Sequence, residues 1–155
     1  MGSKSPKITA LAQDWCALSL LHERIQAQIE HALMAKHGLS VREFSLLNVL
    51  NRQHQGSGGH LQMKQVADAV VLSQSATTRL VTRLEERGLL ARFFCPTDRR
   101  GIYTNVTDEG CALLKAARPT NDAALHAALE EASHDPELKP LVDALSQLGP
   151  LHRPT

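Results

Sequence analysis

Apolar side chains recur along this chain with two different periods. From Ile8 to about Lys36, Leu11, Trp15, Leu18, Ile25, Ile29 and Leu33 follow alternating steps of three and four, with His22 at the step between Leu18 and Ile25. That spacing predicts one long helix closed by Gly38. About 29 residues at 1.5 Å each extend roughly 43 Å, longer than the core of a small domain needs, so part of the seam is expected to pack on a second subunit. Ser40-Val-Arg-Glu43 reads as a capping box that opens a second helix through Phe44, Leu47, Val49 and Leu50. His54 to His60 is glycine-rich and reads as a connector without chemistry. Leu61 to Ala69 predicts a short helix with Val66 and Val70 inward, and Val71-Leu72 a turn. Thr77, Leu80, Val81 and Leu84 then mark the buried stripe of a longer helix, with Ser73 as its N-cap and Gly88 as its left-handed stop.

Beyond Gly88 the period changes from helical to extended. Leu89 to Phe94 and Ile102 to Val106 flank Cys-Pro-Thr-Asp-Arg-Arg-Gly, which predicts a two-stranded wing with Arg99 and Arg100 at its tip. Thr107-Asp-Glu-Gly caps a helix that carries Leu113 and Leu114 and is expected to stop at Pro119. Leu125 and Leu129 follow, then Leu138, Leu141, Val142, Leu145 and Leu148, with Asp135 as N-cap and Pro136 at the first position of a restarted helix. The expected fold is mainly α with a small β-wing (α+β). A short helix, a tight turn and a longer helix make a helix-turn-helix. The winged helix-turn-helix lobe, 40–117, is flanked by N- and C-terminal dimerisation helices, 8–37 and 120–150, in a single domain over 1–155.

Charge refines this picture. The chain of 155 residues has a formal net charge of +1, too little for a wholesale nucleic-acid coat. The average hides a split: residues 62 to 105 hold seven Lys/Arg against four Asp/Glu, a local +3, and the other residues ten against twelve, a local −2. Positive charge therefore gathers on the predicted helix and wing, as local contact with DNA requires. Gln74, Ser75, Thr78, Arg79, Thr82 and Arg83 share the outward face of that helix, a short, polar and cationic surface suited to base edges and phosphates. Cys16, Cys95 and Cys111 are odd in number and match no zinc or CxxC spacing, so no disulfide framework is expected. No apolar run approaches the roughly 18 to 20 residues of a membrane span, and the N-terminus lacks the apolar core of a signal peptide, so a cytoplasmic protein with no membrane partner is expected. No nucleophile elbow, phosphate loop or metal triad points to an enzyme, and no cofactor is implied. Helical metal pairs want i, i+3 or i+4 spacing, which His22, His31 and His37 do not provide; a zinc-responsive regulator is the remotest alternative, with no metal ligands assigned.

From Val66-Ala-Asp through Ser75-Ala-Thr-Thr-Arg-Leu-Val-Thr-Arg-Leu-Glu-Glu-Arg-Gly-Leu, then Asp98-Arg-Arg and Thr107-Asp-Glu-Gly, the chain resembles the MarR (multiple antibiotic resistance regulator) winged-helix transcription factors. Thr77 departs from the family, which commonly has an aliphatic residue there. The resemblance implies a homodimeric regulator, usually a repressor, on double-stranded DNA with a pseudo-palindromic operator. The helix from Ser73 would enter the major groove through Gln74, Ser75, Thr78, Arg79 and Arg83. Asp98 would brace an arginine of the Asp98-x-Arg100 wing, and Arg99 or Arg100 would reach the minor groove. It also implies a small, often aromatic anionic effector between the dimer helices and the DNA-binding lobe, where Trp15, Ser19 and His22 lie along one side of the first helix. Cys16 falls in register with the reactive cysteine of the peroxide-sensing branch. Leu20, Glu30 and Val41 stand where that branch has its supporting tyrosines, so a thiol-based peroxide sensor is the alternative reading.

Overall fold

Residues 9–55, 63–95 and 98–148 are described by the structure, a computed structural model, the side chains at 53–55, 63, 93–95 and 98–102 excepted. Along them run α1 (Ala10–His37), α2 (Val41–Gln55), α3 (Met63–Val70), α4 (Gln74–Glu86), β1 (Leu90–Cys95), β2 (Asp98–Val106), α5 (Asp108–Ala132) and α6 (Lys139–Gln147). The fold is mainly helical with one small antiparallel sheet, as the periodicity predicts. Part of the connector expected over His54 to His60 lies outside the described residues. The chain divides into two compact units, Met1–His31 with Asp122–Thr155 and Ala32–Asn121, so that α1 and α5 each contribute to both.

In the first unit Leu21, Ala132, Leu138 and Val142 form a buried core, with Ala17, Ile25, Leu129 and Leu141 packed against it. The inward stripe of α1 thus runs through Leu21 at this level. Leu11, Trp15 and Leu18, expected on the seam, are exposed, because α5 and α6 cover a different side of the helix. Arg24 reaches Asp135 at 3.4 Å, and Gln28 donates to Glu131. The last helix starts later than its Asp-Pro signal suggests. Asp135 caps a turn, with Oδ1 accepting from the Glu137 N–H at 3.0 Å and its carbonyl from Lys139 at 2.8 Å. Pro140, not Pro136, occupies the first turn of α6, where its missing N–H costs no helical bond.

In the second unit α2, α3 and α4 pack as a helical layer against the β1–β2 sheet. Ser40 caps α2 as expected, its Oγ accepting from the Glu43 N–H at 3.1 Å. Glu43, however, is buried and its carboxylate is taken by Arg87 at 2.5 Å. A local capping pattern and a partner 44 residues away compete for one side chain, and the charged partner holds it. At the other end of the unit α5 continues past Pro119, where a stop was expected. Pro119 is exposed, so the carbonyl that loses its helical donor can reach water, and the buried Leu114, Ala117, Ala128 and Ala132 hold the helix on both sides. Their burial offsets a break that costs about 3 kcal/mol.

Candidate nucleic-acid interface

Local chemistry fixes both ends of α4. Ser73 is extended (φ −65°, ψ 154°), and its Oγ accepts from the Ala76 N–H at 3.2 Å. At the far end Gly88 adopts φ +74°, and the N–H groups of Gly88 and Leu89 donate to the carbonyls of Glu85 and Leu84, both at 2.9 Å, a Schellman arrangement. Between these ends Thr77, Leu80, Val81 and Leu84 are buried. Thr77 fits among the aliphatic side chains because its hydroxyl donates to the Ser73 carbonyl at 3.0 Å.

The outward face carries the residues that the sequence singles out. Gln74, Ser75, Thr78, Arg79, Thr82 and Arg83 are all exposed. Ser73 divides its oxygen between capping and a 3.3 Å approach to Ser75 Oγ. The hydroxyls of Thr78 and Thr82 donate backwards to the carbonyls of Gln74 and Thr78, each at 2.9 Å. Their donors are thereby used, which leaves methyl groups and acceptor lone pairs as what these side chains can offer a base. Thr82 also accepts from Arg92 Nη2 at 3.2 Å, and Arg92 Nε donates to Glu85 at 2.6 Å, so strand β1 is tied to α4 by one guanidinium. Arg92 was not anticipated, and neither was the pairing of Glu43 with Arg87. No local spacing signals a partner contributed by another element.

The wing pairs Leu90 with Val106 and continues in antiparallel register to Phe94 opposite Ile102. The next pair is Cys95 with Asp98, so residues 99 to 101 are extra on the second strand. The backbone of Asp98, Arg99 and Arg100 belongs to β2, within this irregular stretch, rather than to the hairpin tip. An insertion of this kind bends and twists the strand that carries it. The side chains of Asp98, Arg99 and Arg100 lie outside the described residues. At the base of the wing Thr107 donates to the Gly88 carbonyl at 2.7 Å and accepts from the Gly110 N–H at 3.1 Å. One side chain thus joins the end of α4 to the start of α5.

Trp15, Ser19 and His22 follow one another at steps of four and three on α1; Trp15 and His22 are exposed, Ser19 is half-buried, and His22 Nε2 lies 3.4 Å from Gln26 Nε2. Cys16 is exposed and free. Among the described residues no three His, Cys, Asp or Glu side chains converge as a metal site, and no helix is long and apolar enough to cross a membrane.

A sequence profile of the MarR family matches residues 37–101, which include α2 to α4 and most of the wing. The transcriptional regulator MhqR of Bacillus subtilis is 30% identical over 114 residues, 74% of either chain. The chain belongs to the MarR family. Among solved MarR-type structures, CouR from Rhodococcus jostii RHA1 bound to p-coumaroyl-CoA is 30% identical with a TM-score of 0.68, over 96% of this chain and all of CouR. The MarR family regulator Sco3205 of Streptomyces coelicolor, in complex with DNA, shares the fold at 23% identity, with a TM-score of 0.70 over 97% of this chain and 94% of that one. As a MarR-family transcriptional regulator with a winged helix-turn-helix, the protein is DNA-binding.

Proposed function

We propose that the protein is a homodimeric repressor that sets α4 of each subunit into the major groove of a pseudo-palindromic operator, with half-sites about one helical turn apart. The carrying observation is the division of α4: four buried residues fix one face, and the opposite, exposed face gathers polar and cationic side chains. In this reading Ser73, Gln74, Ser75, Thr78, Arg79 and Arg83 contact the groove, and Asp98, Arg99 and Arg100 serve a minor-groove grip by the wing. Dimerisation is supported by the exposed Leu11, Trp15, Leu18, Leu145 and Leu148 of the first unit, apolar side chains that a monomer would leave in water.

A small aromatic or phenolic effector releases the dimer. Trp15 offers a stacking face, and Ser19 and His22 offer hydrogen bonds beside it. CouR, bound to a thioester of a phenolic acid, is a relative at 30% identity and favours that chemical class. Release follows from linkage if the effector prefers a dimer whose readers are wrongly spaced. The test is selection of bound duplexes from a random library, repeated with p-coumarate and p-coumaroyl-CoA. A two-fold symmetric consensus that one ligand abolishes is the expected result. A consensus without symmetry would overturn the homodimeric reading, and no enrichment would overturn DNA recognition.

A further inference from the structure

A cleft of about 530 Å³ runs beside α4, lined by Ser40 and Arg42 from the start of α2 and by Leu72, Ala76, Arg79, Leu80 and Arg83. Among the described residues that line it are three guanidinium groups and no acidic side chain. The nearest acid along the chain, Glu43, is buried and engaged by Arg87 at 2.5 Å, with its other oxygen 4.0 Å from Arg83. Arg83 is therefore partly balanced, whereas Arg42 and Arg79 have no acidic partner among the described residues. Like charges collected on one surface repel one another, and an anion seated among them removes that cost.

The shape of the cleft narrows the choice of anion. Leu72, Ala76 and Leu80 supply an apolar side with no side-chain hydrogen-bonding group, so that side cannot read a base edge by hydrogen bonds. A helix of about 10 to 12 Å diameter nearly fills a major groove about 12 Å wide, and side chains beside it meet the sugar-phosphate backbone. Arg42 is not part of α4 at all. It stands in the first turn of α2, where it can reach past the recognition helix only to what borders the groove.

We propose that Arg42, together with Arg83, holds a DNA backbone phosphate in this cleft, which makes the first turn of α2 a third DNA-contacting element beside the recognition helix and the wing. The inference rests on the DNA-binding reading above and adds to it a residue that contributes affinity without sequence preference.

The experiment measures binding of the full-length protein to two duplexes, one of mixed sequence and one carrying the selected site, across a series of KCl concentrations. R42A is expected to lose roughly tenfold on both duplexes by the same factor, and its log–log salt slope to shrink by about 0.9 per subunit, the release of one phosphate's counterions. R42K, which keeps the charge, should retain most of the slope. R24A, which removes an arginine from the other unit, should match wild type, and far-UV circular dichroism should show all three variants folded. An R42A slope and affinity equal to wild type would overturn the proposal, as would a loss confined to the selected duplex. Binding of inorganic phosphate or benzoate that R42A abolishes, with DNA affinity intact, would reassign the cleft to a free anion and overturn it too. Wild-type protein that bound neither duplex would instead remove the DNA-binding reading on which the inference rests.

Discussion

At the scale of single residues, the turn before α4 contains the sharpest conflict between side chain and backbone. Val71 adopts φ +56° and is 86% exposed, so a β-branched residue occupies the left-handed region without any burial in return. Val71→Asn should therefore raise stability by about 1 kcal/mol, read as a higher urea midpoint with an unchanged m-value. A lower midpoint would mean that the exposed valine makes a contact the isolated chain does not show. Arg79 is the corresponding test of recognition. A bidentate arginine on guanine contributes about 1 to 3 kcal/mol of discrimination, so Arg79→Ala should both weaken binding to the selected site and narrow its margin over scrambled DNA. Equal loss on the two duplexes would move Arg79 from base reading to phosphate. The outward face of α4 was legible from spacing alone, since buried Thr77, Leu80, Val81 and Leu84 fix which residues remain outside. The engagement of Glu43 was not legible, because its arginine is 44 residues away and a plausible local role was already at hand.

Among elements, the wing, the end of α4 and α5 meet at one crowded point. A Cβ on Gly110 would lie 2.3 Å from the Leu89 carbonyl oxygen and 2.7 Å from Val106 Cγ1. Neither the backbone at Leu89 nor the buried Val106 can give way cheaply. Gly110→Ala should cost about 2 kcal/mol or more, measured as a lowered thermal midpoint, and should weaken DNA binding by loosening the wing's base. An unchanged midpoint would show that α5 can slide at its start. Sequence signals located this junction well: Gly88 and Thr107 perform the capping expected of them, and Asp108 and Glu109 stand in the first turn of α5. They failed at Pro119 and Asp135, where a local rule about helix breaks meets packing from segments distant in sequence. Leu114 and Ala117 before the proline and Ala128 and Ala132 after it are buried, and no short window displays that. The extent of the wing's turn failed for a related reason, since residues 99 to 101 read as turn residues by type yet belong to a strand.

For the whole molecule, the decisive property is how much apolar surface one chain leaves uncovered. The first unit buries Leu21, Ala132, Leu138 and Val142 by itself, while Leu11 at 79% and Leu148 at 59% exposure remain outside that core. A long apolar seam was readable from the sequence; which part of it the chain covers with its own helices was not, because that depends on where α5 ends and α6 begins. Leu18→Glu should convert a dimer into a species of 17.0 kDa in sedimentation equilibrium, and should weaken binding to a symmetric site far more than to a single half-site, because the second contact ceases to be intramolecular. A wild-type protein that already sediments at the monomer mass would refute the dimer directly.

The chain contains one tryptophan, and it is Trp15, 66% exposed on α1. Its intrinsic fluorescence is therefore a single-site signal from the part of the molecule assigned to assembly and effector binding. Emission from separated chains should lie to the red, and assembly that buries the indole should move it to the blue. A phenolic effector stacked on the ring should quench it. One optical trace, followed while the protein is diluted and then titrated with effector, can report both events in solution without any label.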